Sequence, residues 1–407
     1  MRAWLVFLLL VPFVSGLVVE STGKAGSNPV IYGDVIVYER DGSIFAYDIT
    51  EKTEKEIAKG AYPSLFGYTV AFENGETIWY ADVDDGKVVN TNATGSHPNV
   101  FSSSIVFSTN EKDLGIDFSN DGDLSDDILR MYDIDKKEVS NLKVVGDFPV
   151  ANQRALLFIT EEKQIDTDLN ADGDKKDVIL RVFDESRKAN NIMIPAGDIA
   201  LAKSNNAVFV SDGKLVLFDA IQHKATEIGI KGNFPAIYDR LVLFERDGEI
   251  FGFSPETKRI SKTGLVGSEP SVFENIVVFV SPESELGDLN NNGRDDEFIV
   301  RYAKEEDVDG DDVYDFTDNC PGVINVDQVD SDNDGSGDAC DKDTKKSEEV
   351  KVETESNESA KNESGQPVTV AWSWYYYLLI VLLLPVFYFV LKFGYRYYKK
   401  RQKSFGF

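Results

Sequence analysis

A segment that recurs seven times is the feature that most restricts how this chain folds. Each copy begins with a short apolar run, as in PVIYGDVIVYE, PSLFGYTVAFE and PAIYDRLVLFE. The copies start at Pro29, Pro63, Pro98, Pro149, Ala200, Pro235 and Pro270. The starts are 34 or 35 residues apart, except for two intervals of 51 residues. A fixed period of this size is typical of repeat architectures, in which each unit is one supersecondary motif.

The runs within each unit are typical of short β-strands. SIFAYDI, TIWYADV and KLVLFDA are rich in aromatic and β-branched residues and are bounded by Gly, Asn or Asp. Four strands in about 35 residues, repeated seven times, predict an all-β, seven-bladed β-propeller over residues 17–304. The last unit lacks a fourth strand, and VVESTGKAGSNP from Val18 resembles VVNTNATGSHP, the fourth strand of unit two. We therefore expect the N-terminal strand to close the ring and leave no open sheet edge.

The repeat pattern resembles the TolB-type propellers and related repeat domains of prokaryotic, particularly archaeal, surface proteins. The resemblance covers residues 17 to about 304 and includes no catalytic motif. Abundant Lys and Glu with few Cys, Met and Gln agree with a thermophilic, archaeal origin.

The two ends of the chain predict export and anchoring. Residues 1–16 have one positive charge, a short apolar run and small residues at the end, which is typical of a signal peptide. Residues 372–391 (WSWYYYLLIVLLLPVFYFVL) carry no charge and are long enough to span a bilayer. The basic tail 392–407 follows and is expected to stay in the cytoplasm. The alternative for 372–391 is a buried core helix.

These ends predict a single-pass cell-membrane protein with its folded part outside. The formal net charge is −29, even though six basic residues follow the anchor. Such an acidic surface excludes nucleic acid as a partner and favours cations. The sequons predict N-glycosylation acceptors at Asn92, Asn357 and Asn362.

Three units carry an acidic insert before their third strand, at about residues 112–127, 163–177 and 282–297. The second insert contains DLNADGDKKDVILR, which opens like an EF-hand loop but has Ile179 where that loop needs a bidentate Glu. We number each loop from its first Asp, so that a later acid falls at position 10. The predicted calcium ligands are Asp117, Ser119, Asp121 and Asp126; Asp168, Asn170, Asp172 and Asp177; and Asp288, Asn290, Asn292 with either Asp296 or Glu297.

The inserts resemble the calcium hairpins of integrin α-chain propellers, although there the closing acid comes one residue earlier. The alternative is a Gly-containing turn with a solvated acidic tip. The connection between the second and third strands places all three inserts on one face of the propeller. An Arg follows each loop at the same spacing (Arg130, Arg181 and Arg301), and we expect internal salt bridges from these residues rather than ligand contacts.

Residues 305–341 contain DNCP and NxxQxDxDxDGxGDACD-like spacing with both cysteines, and they closely resemble a thrombospondin type 3 repeat. The resemblance implies a calcium-wrapped segment, and Asp312 replaces the turn glycine of that family. We expect Cys320 and Cys340 to bond to each other, because the chain has no other cysteine. The alternative is a disordered acidic linker. The implied ligands are Asp307, Asp309, Asp311, Asp315 and Asp318 in one site and Asp330, Asp332, Asp334, Asp338 and Asp341 in the other.

Residues 342–371 predict a flexible stalk between this segment and the membrane. Together these features predict a calcium-binding adhesion or receptor-like protein whose ligand is an extracellular protein, peptide or glycan. The chain has two histidines and no recognised catalytic motif, so we expect no enzyme. His97, without a sequence partner, is expected to be solvated. The alternative function is an anchored hydrolase, for example one acting on glycans, with its active site at the propeller mouth.

Overall fold

The computed structural model describes residues 18–341 apart from 153, 184–188, 202–205, 240, 256–257, 259, 296, 305, 312, 316–317 and 332–336. The chain separates into two compact units, residues 1–348 and 349–407, and all described residues belong to the first. The predicted signal peptide (1–16), stalk (342–371), membrane helix (372–391) and basic tail (392–407) lie outside the described residues. Within the described part, no helix has the length and apolar character needed to cross a membrane.

The predicted seven-bladed β-propeller is confirmed, since the described strands form seven four-stranded antiparallel sheets. In chain order the strands are β1 (Val18–Ala25), β2 (Ser27–Tyr32), β3 (Val35–Arg40), β4 (Ser43–Asp48), β5 (Thr53–Lys59), β6 (Ala61–Phe66), β7 (Thr69–Asn74), β8 (Thr77–Asp82), β9 (Val88–Thr94), β10 (Ser96–Phe101), β11 (Ser104–Asn110), β12 (Asp127–Asp133), β13 (Glu138–Val145), β14 (Asp147–Ala151), β15 (Leu156–Glu161), β16 (Val178–Phe183), β17 (Ala189–Pro195), β18 (Ile199–Leu201), β19 (Asn206–Ser211), β20 (Lys214–Asp219), β21 (Lys224–Lys231), β22 (Asn233–Tyr238), β23 (Leu241–Arg246), β24 (Glu249–Phe253), β25 (Ile260–Val266), β26 (Ser268–Phe273), β27 (Ile276–Pro282) and β28 (Phe298–Lys304). Two one-turn helices, α1 (Glu111–Leu114) and α2 (Glu283–Leu286), lie in inserts.

Blades 1 to 6 each contain four consecutive strands, from β2–β5 to β22–β25, and blade 7 contains β26, β27, β28 and β1. The first strand of every blade contacts the first strands of both neighbouring blades, so these seven strands line the axis of a closed ring. In blade 7, β1 pairs antiparallel with β28, with Val18 opposite Lys304 and Glu20 opposite Tyr302. The predicted closure by the N-terminal strand is therefore confirmed.

The core lies between the blades, because each sheet buries both faces against its neighbours. The second strand of every blade carries a fully buried aromatic residue: Tyr38, Phe72, Phe107, Phe158, Phe209, Phe244 and Phe279. A glycine packs against this ring at six of the seven crossings between blades, Gly197 being the exception, and a Cβ on Gly60 or Gly146 would lie 2.5 or 2.3 Å from the ring of Phe72 or Phe158. Only glycine allows that close approach.

Candidate functional site

The three inserts lie on the face where the chain passes between blades. They join the second and third strands of blades 3, 4 and 7. Gly146, which connects blades 3 and 4, donates its N–H to the Asp127 carbonyl at the end of the first insert (2.7 Å), and Gly26 donates to the Phe298 carbonyl after the third insert (2.9 Å). The Gln164 side chain donates to Asp127 Oδ2 (2.7 Å), so the first two inserts also contact each other. We call this side of the propeller the insert-bearing face.

A buried glutamate organises each insert, and sequence analysis did not identify these residues. Glu111, Glu162 and Glu283 are fully buried. Each pairs its backbone N–H with the carbonyl of the position 10 residue, at 2.9 Å in all three inserts. The sequence did contain a signal for these residues, because an acid stands five or six residues before the first Asp of every loop.

The side chains of these glutamates accept hydrogen bonds from the backbone of the loops. Glu111 Oε1 accepts from the N–H groups of Phe118 and Ser119, at 2.5 and 2.7 Å. Glu162 and Glu283 accept from positions 2, 3 and 10 of their own loops at 2.6–3.3 Å. In the second and third inserts the glutamate carboxylate thus fixes both ends of the loop, whereas the Glu111 carboxylate fixes only the start of the first loop.

The first Asp of each loop turns inward. Asp117 Oδ2, Asp168 Oδ2 and Asp288 Oδ2 each accept the N–H of the glycine at position 6, at 2.8–3.1 Å. These glycines have φ between 82° and 103°, which favours glycine over any residue with a Cβ. The EF-hand-like spacing of Asp and Gly therefore has a structural reason in this hairpin.

The predicted ligands at positions 3, 5 and 10 come together in the second and third inserts. Asn170 Nδ2 donates to Asp177 Oδ2 (2.7 Å) and to Asp172 Oδ2 (3.1 Å). Asn290 and Asn292 both donate to Glu297 Oε2, at 2.6 and 3.2 Å. Asp296, the other predicted acid of the third insert, lies outside the described residues.

The first insert brings carboxylates together without such amide donors. Asp121, Asp123 and Asp126 can each offer an oxygen within 4.8 Å of the others, and Glu162, Asp174 and Asp177 do the same in the second insert. Asp126 is fully buried, and neither of its carboxylate oxygens has a hydrogen-bond partner of normal geometry among the described residues. Burial, with the negative charges of Asp121, Glu111 and Asp123, raises the pKa of Asp126 to about 6, although Ser119 acts in the opposite direction. These acidic clusters are able to hold a metal ion.

The arginines after the loops do not form the predicted salt bridges. In the part of the chain that the structure describes, no ion pair involves Arg130, Arg181 or Arg301. Each guanidinium instead lies near the buried phenylalanine of the second strand, at 5.6–5.8 Å from its ring centroid. Burial lowers the pKa of all three.

The acidic segment after β28 contains the predicted disulfide. Cys320 and Cys340 are bonded, with their Cα atoms 5.5 Å apart. Asp307, Asp309 and Asp311 can offer carboxylate oxygens within 4.8 Å of one another. Asp318 accepts from Cys320 N–H (2.7 Å) and Asp338 from Ser331 N–H (2.8 Å).

Several other predicted sites in and beyond this segment are not tested. Asp332 and Asp334 lie outside the described residues, as do Asn357 and Asn362, while Asn92 is exposed on β9. The remaining predicted ligands, Asp315, Asp330 and Asp341, are described residues whose metal binding stays a prediction.

A row of aromatic side chains lies on the insert-bearing face near the axis. Tyr62, His97 and Phe148 each precede the proline of an innermost strand, in blades 2, 3 and 4. The ring centroids of Tyr62 and His97 are 5.8 Å apart, and those of His97 and Phe148 are 3.7 Å apart and stacked. We call the axial opening bordered by these residues the mouth.

Carboxylates hold the backbone at the mouth. Tyr62 and His97 have left-handed φ values of 52°, which residues with a Cβ rarely adopt. Their N–H groups donate to Glu39 Oε1 (2.5 Å) and Glu73 Oε1 (2.6 Å), which lie at the same position of neighbouring second strands. The signal was present in the repeat itself, since the runs ending in VYE and AFE place these acids there.

His97 is not a solvated, lone histidine as the sequence predicted. Its Nδ1 lies 2.8 Å from Asp147 Oδ1, and the Ser108 hydroxyl donates to the same carboxylate oxygen. Burial opposes protonation of His97, but Asp147, Glu73 and Asp127 raise its pKa above the ordinary value. Burial also acts to raise the pKa of Asp147, yet the bonds from His97 and Ser108 hold it below its usual value.

No protein-family model matches the chain, and no curated protein matches it in sequence. Solved structures with a similar fold include oligogalacturonate lyase from Vibrio parahaemolyticus, at 11% identity and a TM-score of 0.48 over 72% of this chain and 92% of that one. Pyrococcus horikoshii acylaminoacyl peptidase has 10% identity and a TM-score of 0.46 over 64% of this chain and 49% of that one. TolB from Acinetobacter baumannii has 12% identity and a TM-score of 0.39 over 63% and 65%. Identities this low show the fold alone.

These comparisons correct one prediction from the sequence. The conclusion that the protein is not an enzyme is wrong as drawn, because solved chains of this propeller fold include the lyase and the peptidase named above. The lack of a recognised motif therefore does not separate binding proteins from enzymes on this fold. The seven-bladed β-propeller rests on its own strand pairing, and TolB is one of several chains with a similar fold.

Proposed function

We propose that this protein is a membrane-anchored, calcium-binding cell-surface protein whose insert-bearing face binds an extracellular protein, peptide or glycan. The observation that carries the proposal is the orphaned acid of the first insert. Both oxygens of Asp126 and Oε2 of Glu111 are buried and lack a hydrogen-bond partner of normal geometry among the described residues, although the Ser119 side chain lies near enough to Asp126 to lower its pKa. A buried carboxylate without partners is costly, and a bound cation removes that cost.

The donor atoms favour calcium over other cations. Each loop offers carboxylate and amide or hydroxyl oxygens at positions 1, 3, 5 and 10 and no nitrogen or sulfur ligand, which suits a hard cation. Calcium accepts six to eight oxygens in flexible geometry, whereas magnesium demands a near-ideal octahedron. The third loop has Asn290 and Asn292 where the first has Ser119 and Asp121, so we expect it to bind most weakly.

The acidic segment and the chain ends complete the proposal. Residues 305–341 form a second, thrombospondin type 3-like calcium module, supported by the Asp307, Asp309 and Asp311 cluster and by the disulfide. The signal peptide (1–16), stalk (342–371) and anchor (372–391) are proposed from the sequence pattern.

The test begins with the ion. Calorimetric titration of the full-length chain, purified in detergent and stripped with chelator, should show several calcium sites and weaker heats with magnesium. Asp126→Asn and Asp177→Asn should each remove one propeller site, while Asp48→Asn, which caps a turn on the opposite face, should remove none. Calcium heats unchanged in both loop variants would overturn the proposed propeller sites.

The second step concerns the partner. The immobilised full-length chain is challenged with solubilised envelope and glycan fractions of the source organism, in millimolar calcium or in chelator. We expect a component that is retained with calcium and lost in the loop variants. Equal retention in calcium and in chelator, and in the wild type and the loop variants, would contradict a calcium-dependent binding face.

Hydrolysis at the mouth is a second candidate, favoured by the His97–Asp147 pair. A carboxylate on Nδ1 orients an imidazole and supports proton transfer at Nε2. A screen of the full-length chain against glycan and peptide substrates, with His97→Gln as the matched variant, tests it. Turnover equal in both proteins, or absent from both, would exclude His97 as a general base.

A further inference from the structure

The mouth combines exposed aromatic rings with carboxylates from several blades. Tyr62 and Phe148 are 53% and 50% exposed, although each is a large ring on an ordered strand, and Phe234 of blade 6 is 44% exposed at the equivalent position before its proline. Large apolar side chains in a contiguous exposed row mark a binding surface more often than chance exposure does.

Negative charge surrounds these rings. Glu39, Glu73 and Glu269 each accept a backbone N–H at the mouth, at 2.5–2.7 Å. Glu269 interacts electrostatically with Glu39, and Glu73 with both Glu39 and Asp147. Burial and this mutual repulsion raise the pKa of Glu73 and Glu269. No ion pair within the described residues joins a Lys or Arg to these three glutamates.

We propose that the mouth binds Lys or Arg side chains of a basic peptide segment in the partner. The proposal rests on the proposed function and names the chemistry of its ligand. Aromatic faces attract ammonium and guanidinium groups, and nearby carboxylates complete the recognition of such a cation. The ligand's charge relieves the repulsion among Glu39, Glu73 and Glu269.

The arrangement favours a peptide over a small free amine. The acids come from blades 1, 2, 4 and 7, and the aromatic row runs across blades 2, 3 and 4. A single cation contacts only part of this set, whereas a segment with several spaced basic side chains reaches more of it. Binding through such pairs is expected to weaken as salt rises.

The test uses a fluorescein-labelled peptide of four Gly-Arg repeats with blocked ends, titrated with the full-length chain at low and moderate salt. A peptide with norleucine in place of Arg is the control for apolar contact, and spermidine is added as a competitor to test a free polyamine. We expect the Arg peptide to bind, the norleucine peptide to bind at least about tenfold more weakly, and spermidine to compete poorly.

Matched variants locate the site. Phe148→Ala and Glu73→Gln should each weaken binding by about 3- to 30-fold, the range of a desolvated cation–π or charged contact. Tyr68→Ala and Glu51→Gln change an exposed ring and an acid in turns on the opposite face, and they should leave binding unchanged.

The outcomes separate the two proposals. Equal binding of the norleucine peptide, equal losses on the two faces, stronger binding of spermidine than of the peptide, or no peptide binding at all would each overturn the mouth as a basic-peptide site. Calcium titration of the same preparations decides the proposed function independently, because neither Phe148 nor Glu73 belongs to a metal cluster.

Discussion

Asp126 is the residue of the first insert whose surroundings most favour a bound cation. Its carboxylate is buried without a hydrogen-bond partner of normal geometry among the described residues, and it lies close to two other acids. We expect Asp126→Asn to raise the metal-free thermal midpoint, because the substitution removes one buried negative charge from a site that lacks a counter charge. The same variant should lose much of the upward shift that calcium causes in the wild type. Scanning calorimetry with calcium and with chelator measures both effects. Asp113→Asn, which changes an exposed acid of the same insert outside the metal cluster, is the control, and a metal-free midpoint that falls in Asp126→Asn would contradict the expectation.

The His97–Asp147 pair predicts a pH dependence of stability. The pKa of His97 is raised from 6.5, so its contribution is fully present below pH 6.5 and is lost as the pH rises through the folded value. The pKa of Asp147 is lowered from 3.8, so its contribution is present above pH 3.8 and is lost as the pH falls through the folded value. The destabilisation caused by His97→Gln should therefore be largest near pH 5 and smaller at pH 9. Urea unfolding of both proteins across this range measures it. A destabilisation that grows from pH 5 to pH 9 would contradict the assigned pair.

Each insert depends on one buried glutamate more than on its exposed acids. Glu162 accepts the N–H groups of Leu169, Asn170 and Asp177, so Glu162→Ala leaves buried donors unpaired. We expect a loss of roughly 1–3 kcal/mol in unfolding free energy. Glu162→Gln keeps one acceptor oxygen and should lose less. Urea unfolding in chelator compares the variants with Asp174→Ala, an exposed acid of the same loop. Equal losses in all three would show that Glu162 does not organise the insert.

The strands and blades were predictable because burial alternates or runs continuously along each strand, as IVVFVSP of β27 shows. Glu162 was not singled out, because an acid next to a strand end has no sequence mark of being buried. The Arg181 prediction failed for a related reason: the sequence shows charge but does not show that an aromatic ring, rather than an acid, lies beside it.

The mouth was the part least accessible from the sequence. Its residues come from different repeats, so His97 and Asp147 are 50 positions apart and meet only because neighbouring blades place equivalent positions side by side. Periodicity predicts which strands are neighbours, but it does not predict which side chains of two neighbours form a hydrogen bond. Glu39 and Glu73 recur at the same position of two repeats, but the sequence does not show which group each carboxylate contacts.

The ring as a whole is closed by non-covalent contacts between its two ends. Thr22 of β1 donates its hydroxyl to the Val300 carbonyl of β28 at 2.7 Å, and Thr91 of β9 makes the same bond to Ile78 of β8 at 2.6 Å. The two similar segments, whose likeness predicted the ring closure, therefore share this hydrogen bond and the shift in strand register beside it. The two threonines differ in one respect: the Thr91 bond joins residues 13 positions apart in one hairpin, whereas the Thr22 bond joins residues 278 positions apart at the two ends of the ring.

That difference gives a prediction about the stability of the closure. Thr22→Ala and Thr91→Ala remove the same buried hydrogen bond, worth about 1 kcal/mol, and should lower the unfolding free energy by similar amounts. Their local effects should differ, because β1 is free to separate from β28 without breaking any other blade. Hydrogen exchange should therefore accelerate across Val18–Ala25 and Phe298–Lys304 in Thr22→Ala and remain nearly unchanged in the strands around Thr91→Ala. Equal acceleration at both sites would mean that blade 7 is as firmly held as the continuous blades, and that the ring does not open first where its two ends meet.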